Sequence, residues 1–93
     1  MRAKLDIYTR DGGACQLCYR TTEIQHTQLD HRVALQFGGT NDTNNLWTLC
    51  RSCHDIKSAH EARYSEPFGP ALDAPQPIPL EEWKARRAGP GIA

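Results

Sequence analysis

Ninety-three residues allow one small domain with a tail, and a 39% apolar, 8% aromatic composition is thin material for a self-sufficient core. No apolar run approaches ~18 residues, which excludes a transmembrane helix, and the charge-interrupted opening is not the pattern of a signal peptide. Eleven basic residues against eleven acidic ones leave no bulk basic footprint for nucleic acid, so any DNA contact must rest on a local patch and on bound metal.

In chain order, residues 3–9 are expected to form a short helix presenting Leu5 and Tyr8, ended by Asp11-Gly12-Gly13. A cysteine loop follows. Residues 27–35 alternate as a strand, with Thr27, Leu29, His31 and Val33 on one side and Gln28, Asp30 and Arg32 on the other. Residues 38–44 are a dense turn signal. Residues 46–49 are a second, apolar strand. Residues 51–64 favour helix, with Ile56, Ala59 and Ala62 spaced for one face and Ser65 and Pro67 ending it. Five of the six prolines then fall at Pro67, Pro70, Pro75, Pro77 and Pro79. That stretch is expected to hold neither ladder nor helix and to run extended. Residues 80–89 read as a final helix, with Pro79 near its start, acids in the first turn, bases in the last and Gly89 closing it. The organisation expected is a domain over 1–64, a Pro-rich segment over 65–79 and a short helical tail over 80–93.

Cys15-x-x-Cys18 and Cys50-x-x-Cys53 are two knuckles separated by 31 residues. Two residues between thiolates let one tight turn offer both sulfurs to a tetrahedral ion. A thioredoxin-like redox pair is disfavoured because no βαβ pattern surrounds either motif, and two disulfides are disfavoured without an export signal. One structural Zn2+ is expected, supplying the staple the small core needs.

The segment inserted between the knuckles carries the chemistry. A neutral imidazole at His31 suits a general base. Asp30 and His54 are one hard and one borderline ligand, suited to a divalent ion with open water positions. Asn45 can accept from an imidazole N–H and fix its orientation. Consecutive helical residues point about 100° apart, so Cys53 and His54 should serve two different ions. Asp30 and His31 face opposite sides of a regular strand and converge only if the strand ends or bulges there.

These residues resemble the HNH endonucleases, members of the ββα-metal (His-Me finger) nucleases. The resembling span covers about residues 10–57: R-D-G-G-A-C-Q-L-C, then L-D-H-R-V-A-L, then G-G-T-N-D-T-N-N-L-W-T-L-C-R-S-C-H-D-I-K-S. The resemblance implies an α+β fold: a short β-hairpin plus helices, stapled by the four-cysteine zinc, with a Pro-rich C-terminal extension. It implies Asp30 and His54 as ligands of a catalytic ion, His31 as general base and Asn45, the one immediately before Leu, as the loop asparagine. Ala34 stands in the region where the family often has proline. The implied reaction is metal-dependent hydrolysis of DNA phosphodiesters leaving 5′-phosphate and 3′-hydroxyl ends, with Mg2+, Mn2+ or Ni2+ as catalytic ion. Small chains of this kind resemble HNH proteins encoded by phages beside DNA-packaging genes. A terminase subunit is therefore an expected partner, and the host cytoplasm the expected location.

Lys57, and less strongly Arg32, Arg51 and Arg63, are expected phosphate contacts. Trp47 is expected in the core under the knuckles, and His26 and His60 as surface or packing residues. Lys84, Arg86 and Arg87 are expected to complement the dipole of their helix. The competing function is a non-catalytic zinc module that binds DNA or protein. Such a module would not need Asp30, His31, Asn45 and His54 together.

Overall fold

The computed structural model describes residues 2–87; the expected helix stop at Gly89 lies outside the described residues. Helix α1 (Arg2–Arg10) forms where the first helix was expected. Its inward residues are Ile7 and Arg10, whereas Leu5 is 54% exposed. Tyr8 is half-buried because its hydroxyl donates to the Thr22 carbonyl at 2.6 Å.

Strands β1 (Thr27–His31) and β2 (Leu46–Cys50) pair antiparallel, from Thr27 opposite Cys50 to His31 opposite Leu46. β1 was expected to continue to residue 35 but stops at His31. The cause is a side chain that imitates a strand. Asn45 Oδ1 accepts from the Val33 N–H, and its Nδ2 donates to the Val33 carbonyl, both at 2.9 Å. The Val33 peptide is thereby withdrawn from any ladder. The chain then makes a single helical turn, Leu35–Phe37, and returns through Gly38 and Gly39. Gly38 has φ +89°, the left-handed region that glycine enters without a Cβ penalty. Gly39 is required for space instead: a Cβ there would lie 1.8 Å from the Val33 oxygen.

β2 is the centre of the molecule, with Trp47, Thr48, Leu49 and Cys50 all buried. Trp47 and Leu49 join Cys15, Cys50 and Ala71 in one cluster, with Leu17, Cys53, Phe68 and Ala74 packed around it. Half of the knuckle sulfurs are thus core atoms. The four-cysteine cluster and the core are one object.

Helix α2 (Arg51–Tyr64) follows β2 without a break, over the span expected from sequence. Cys50 caps its start, accepting from the Cys53 N–H at 3.5 Å, and Ser65 ends it at φ +51°. The expected apolar face is not the buried one. Ile56 is 59% exposed, Ala59 and Ala62 are exposed, and the buried helix residue is Lys57. The inward stripe is Cys53, Lys57 and Glu61, four residues apart, because this helix packs on a sulfur cluster and an ion cluster.

The proline stretch contains a helix after all. α3 (Gly69–Asp73) places Pro70 in its first turn, where a missing N–H costs no helical bond. Ala71 on α3 is fully buried in the core cluster. The chain then runs on to α4 (Leu80–Arg87), whose first N–H, that of Leu80, donates to Thr43 Oγ1 at 2.8 Å. Two guanidinium groups fasten this extension. Arg10 donates to the Thr43 and Leu46 carbonyls at 2.6 Å each and to the Ile78 carbonyl at 3.2 Å. Arg32 donates to the Leu72 and Ala74 carbonyls at 2.7 and 3.0 Å. Among the described residues no helix is long and apolar enough to cross a membrane.

Candidate active site and metal centre

The two knuckles meet because their loops are tied to the same strand. The Gln16 N–H donates to the Thr48 carbonyl at 2.9 Å, and Cys50 ends that strand. None of the four cysteines is disulfide-bonded, and their sulfurs lie within 4.8 Å of one another, with Cys18 Sγ 3.9 Å from Cys50 Sγ. Sulfurs bound at about 2.3 Å to a tetrahedral zinc are about 3.8 Å apart, so the residues fit the ion.

The thiols differ in their readiness to ionise. Burial works against the Cys15 thiolate, yet the N–H groups of Cys18, Cys50 and Leu17 outweigh it and bring the thiol down to about 7. Burial pushes the Cys53 thiol well up, reinforced by the Cys50 and Cys15 sulfurs. At Cys18 the Arg20 N–H favours the thiolate, but desolvation and the Cys15 and Cys50 sulfurs leave the thiol raised. Four thiolates this close need a cation among them, and all-sulfur ligation leaves no open position, so the cluster is arranged to hold a metal ion and is compatible with a structural zinc.

The second centre forms where β1 ends beside α2. Asp30 and His31 converge as the end of the strand permits, and both line a shallow pocket with Ala34, Leu35, Gln36, Lys57 and Glu61. Asp30 stands opposite Trp47 in the hairpin register. Its Oδ2 is held by the Trp47 indole N–H and the Lys57 ammonium, each at 3.0 Å. Its Oδ1 is left facing His54 Nε2 at 3.8 Å. Two ligand atoms about 2.1 Å from one ion lie between about 3 and 4 Å apart, so this pair fits a single divalent cation. His54 sits on the helix turn that also carries Cys53, but it points to Asp30 and away from the sulfur cluster. The His54 Nδ1 is buried without a hydrogen-bond partner.

Several assignments change. Asn45 was expected on the His31 ring, but its amide is spent on Val33 and on the Thr40 carbonyl at 2.8 Å. The side chain that meets the ring is Asn41, whose Oδ1 is 2.8 Å from His31 Nε2. Lys57 was expected to reach phosphate. It is 1% exposed, and its ammonium is enclosed by Asp30 Oδ2, Glu61 Oε2 at 2.9 Å and the His31 carbonyl at 2.9 Å. Arg32 is likewise drawn away from solvent phosphate by the Leu72 and Ala74 carbonyls at the end of α3. Arg51 and Arg63 are exposed on α2, Arg63 lying over the Tyr64 ring at 5.5 Å.

Trp47 is in the core as expected, and its hold on Asp30 is an added role. His26 is exposed, and His60 packs against Tyr64 and Phe68. The basic groups of α4 are engaged locally: Lys84 with Asp6, Arg86 with Glu82, and Arg87 over Trp83. Sequence reasoning missed Arg10, Asn41 and Glu61. Only Glu61 carried a signal, its spacing of four from Lys57.

Residues 15–60 match the family model described as HNH endonuclease, a span that includes both knuckles, Asp30, His31, Asn41, Asn45 and His54. No curated protein and no solved structure matches the chain. The antiparallel hairpin, the helix directly after it and the clustered cysteines are consistent with the ββα-metal fold. On that match and this architecture, the chain belongs to the HNH endonuclease family.

Proposed function

We propose that this chain is a divalent-metal-dependent endonuclease that hydrolyses phosphodiester bonds in DNA. The observation that carries the reading is the meeting of Asp30 Oδ1 and His54 Nε2 at 3.8 Å, with the His31 ring at the same strand end. One face of the hairpin–helix junction thus offers an ion site and an imidazole together. His31 takes the proton from the attacking water. Asp30 and His54 hold the ion, Asp30 with its second oxygen fixed by Trp47 and Lys57 so that the first stays directed. A bound Mg2+, Mn2+ or Ni2+ would stabilise the charge that develops on the phosphate and the leaving oxygen. Asn45 keeps the loop after His31 closed by binding Val33 and Thr40. Arg51 and Arg63 are exposed for the DNA backbone.

Plasmid cleavage with added divalent metals varied, run beside His31→Ala, tests this. The variant should be slower by roughly 10²–10⁴-fold. Asp30→Asn and His54→Ala should lose metal-stimulated cleavage and keep the zinc of the four cysteines. Asparagine is chosen at Asp30 because it retains an acceptor for Trp47. Cleavage by His31→Ala at the wild-type rate would overturn the reading, and so would release of the cysteine-bound zinc by His54→Ala.

A further inference from the structure

An imidazole that accepts a proton from water must present one bare nitrogen, and a neutral ring has two candidates. We propose that Asn41 chooses between them. Its Oδ1 holds the His31 ring in the Nε2–H tautomer and leaves the Nδ1 lone pair to act as base. The inference rests on the reading of His31 as general base and assigns its reacting atom.

The argument begins with the chemistry of the two groups. A carboxamide oxygen only accepts, so a ring nitrogen 2.8 Å from Asn41 Oδ1 must carry hydrogen. Among the described residues, that contact is the ring's one hydrogen bond to a side chain. Both ends of it are fixed by their surroundings. On the asparagine side, the Thr40 carbonyl is tied to Asn45 Nδ2 at 2.8 Å, and the Asp42 carbonyl accepts from the Asn45 N–H at 2.8 Å. The residues flanking Asn41 are therefore both anchored to Asn45. On the histidine side, the His31 carbonyl is held by Lys57, and the Arg32 N–H donates to the Asn45 carbonyl at 2.7 Å. Asn45 thus acts at one remove, by placing the side chain that touches the ring. Asn41 is exposed and, among the described residues, its side chain makes no hydrogen bond other than the one to His31, so its replacement should leave the domain intact.

The test uses zinc-loaded, 15N-labelled full-length protein and long-range 1H–15N correlation of the His31 ring, beside steady-state cleavage. Wild type should show the Nε2–H tautomer. Asn41→Ala should show a mixture of tautomers and a kcat lower by about tenfold, with KM for DNA and zinc content unchanged. Asn41→Asp, which keeps an acceptor in place, should retain the Nε2–H tautomer. A wild-type ring in the Nδ1–H form would overturn the proposal. An Asn41→Ala protein with unchanged tautomer, or with unchanged kcat, would do the same. Failure of the base assignment has a separate signature: His31→Ala would cleave like wild type, whatever Asn41 does to the ring.

Discussion

The ammonium of Lys57 donates to the main-chain carbonyl of His31 at 2.9 Å while pairing with the Asp30 carboxylate at 3.0 Å. One buried cation on α2 therefore touches both neighbours at the end of β1, the expected base through its backbone and the expected metal ligand through its side chain. Glu61, one turn further along α2, forms an ion pair with the same ammonium at 2.9 Å. The cluster contains two carboxylates and one cation, so its residual charge favours a dication next to Asp30.

Lys57→Met should consequently destabilise the zinc-loaded protein strongly. It leaves two largely buried carboxylates without their cation, an arrangement that typically costs about 3–5 kcal/mol. Lys57→Met combined with Glu61→Leu should recover part of that loss, since one of the stranded charges is gone. Urea unfolding of the two variants measures the difference. Equal stability of the single and double variants would show that Glu61 does not depend on Lys57.

Why Lys57 looked like a phosphate contact is instructive. A lysine on a helix with exposed neighbours normally lies in water, and its burial here is set by three oxygens from two places in the chain, the end of β1 and the next turn of α2. The same limit explains the other misreadings. The loop asparagine Asn45 was legible as a residue type, but its partner depends on where the Val33 peptide lies after the strand stops. Ala71 carries no sequence signal that it fills the core. By contrast, each two-cysteine knuckle and the span of α2 were legible because both are local, and the two knuckles could be joined because four thiolates complete one ion's shell. Two-residue knuckles fix sulfur geometry, and Cys50 caps the helix it precedes. What the sequence conveyed was chemistry and local form, and what it left out were contacts between distant segments.

Zinc binding should weaken as pH falls. Zinc displaces the protons that the thiols hold, and the Cys18 and Cys53 thiols are raised, so both stay protonated near neutrality. Each such proton makes apparent affinity fall about tenfold per pH unit, hence at least about 100-fold for the two. Cys15 is depressed to about 7 and is already ionised above that pH, adding its own factor only below it. Competition with a chromophoric chelator across the pH range reads this slope. An affinity independent of pH would contradict the four-thiolate site.

Gly38→Ala and Gly39→Ala should differ sharply. At Gly38 there is room for a methyl group, and the cost is the left-handed backbone, about 1–2 kcal/mol. At Gly39 the methyl would collide with the Val33 oxygen, an acceptor for Asn45, so the loop must move away from the end of β1. Thermal melting and cleavage should both be worse for Gly39→Ala. The reverse order would mean that the loop does not hold Val33 as described.

The C-terminal extension should prove to stabilise the nuclease fold, although residues 1–64 contain every expected catalytic and zinc residue. A chain ending after Tyr64 loses Ala71, which is fully buried against Trp47, Leu49 and the knuckle cysteines, and with it the half-buried Phe68. It also strips Arg32 of its two carbonyl acceptors, Leu72 in α3 and Ala74 just after it. Arg10 fares better, keeping the Thr43 and Leu46 carbonyls and losing only the longer contact to Ile78. The damage should therefore centre on the face where Arg32 directly follows His31. The shortened chain should still take up one zinc, because no cysteine is removed, but should melt earlier and cleave more slowly. Arg32→Met in the full chain should reproduce part of the loss in stability without exposing the core. Zinc content, melting temperature and cleavage rate of the three proteins decide the matter. A 1–64 chain as stable and active as the full one would show that the extension merely rests on the domain.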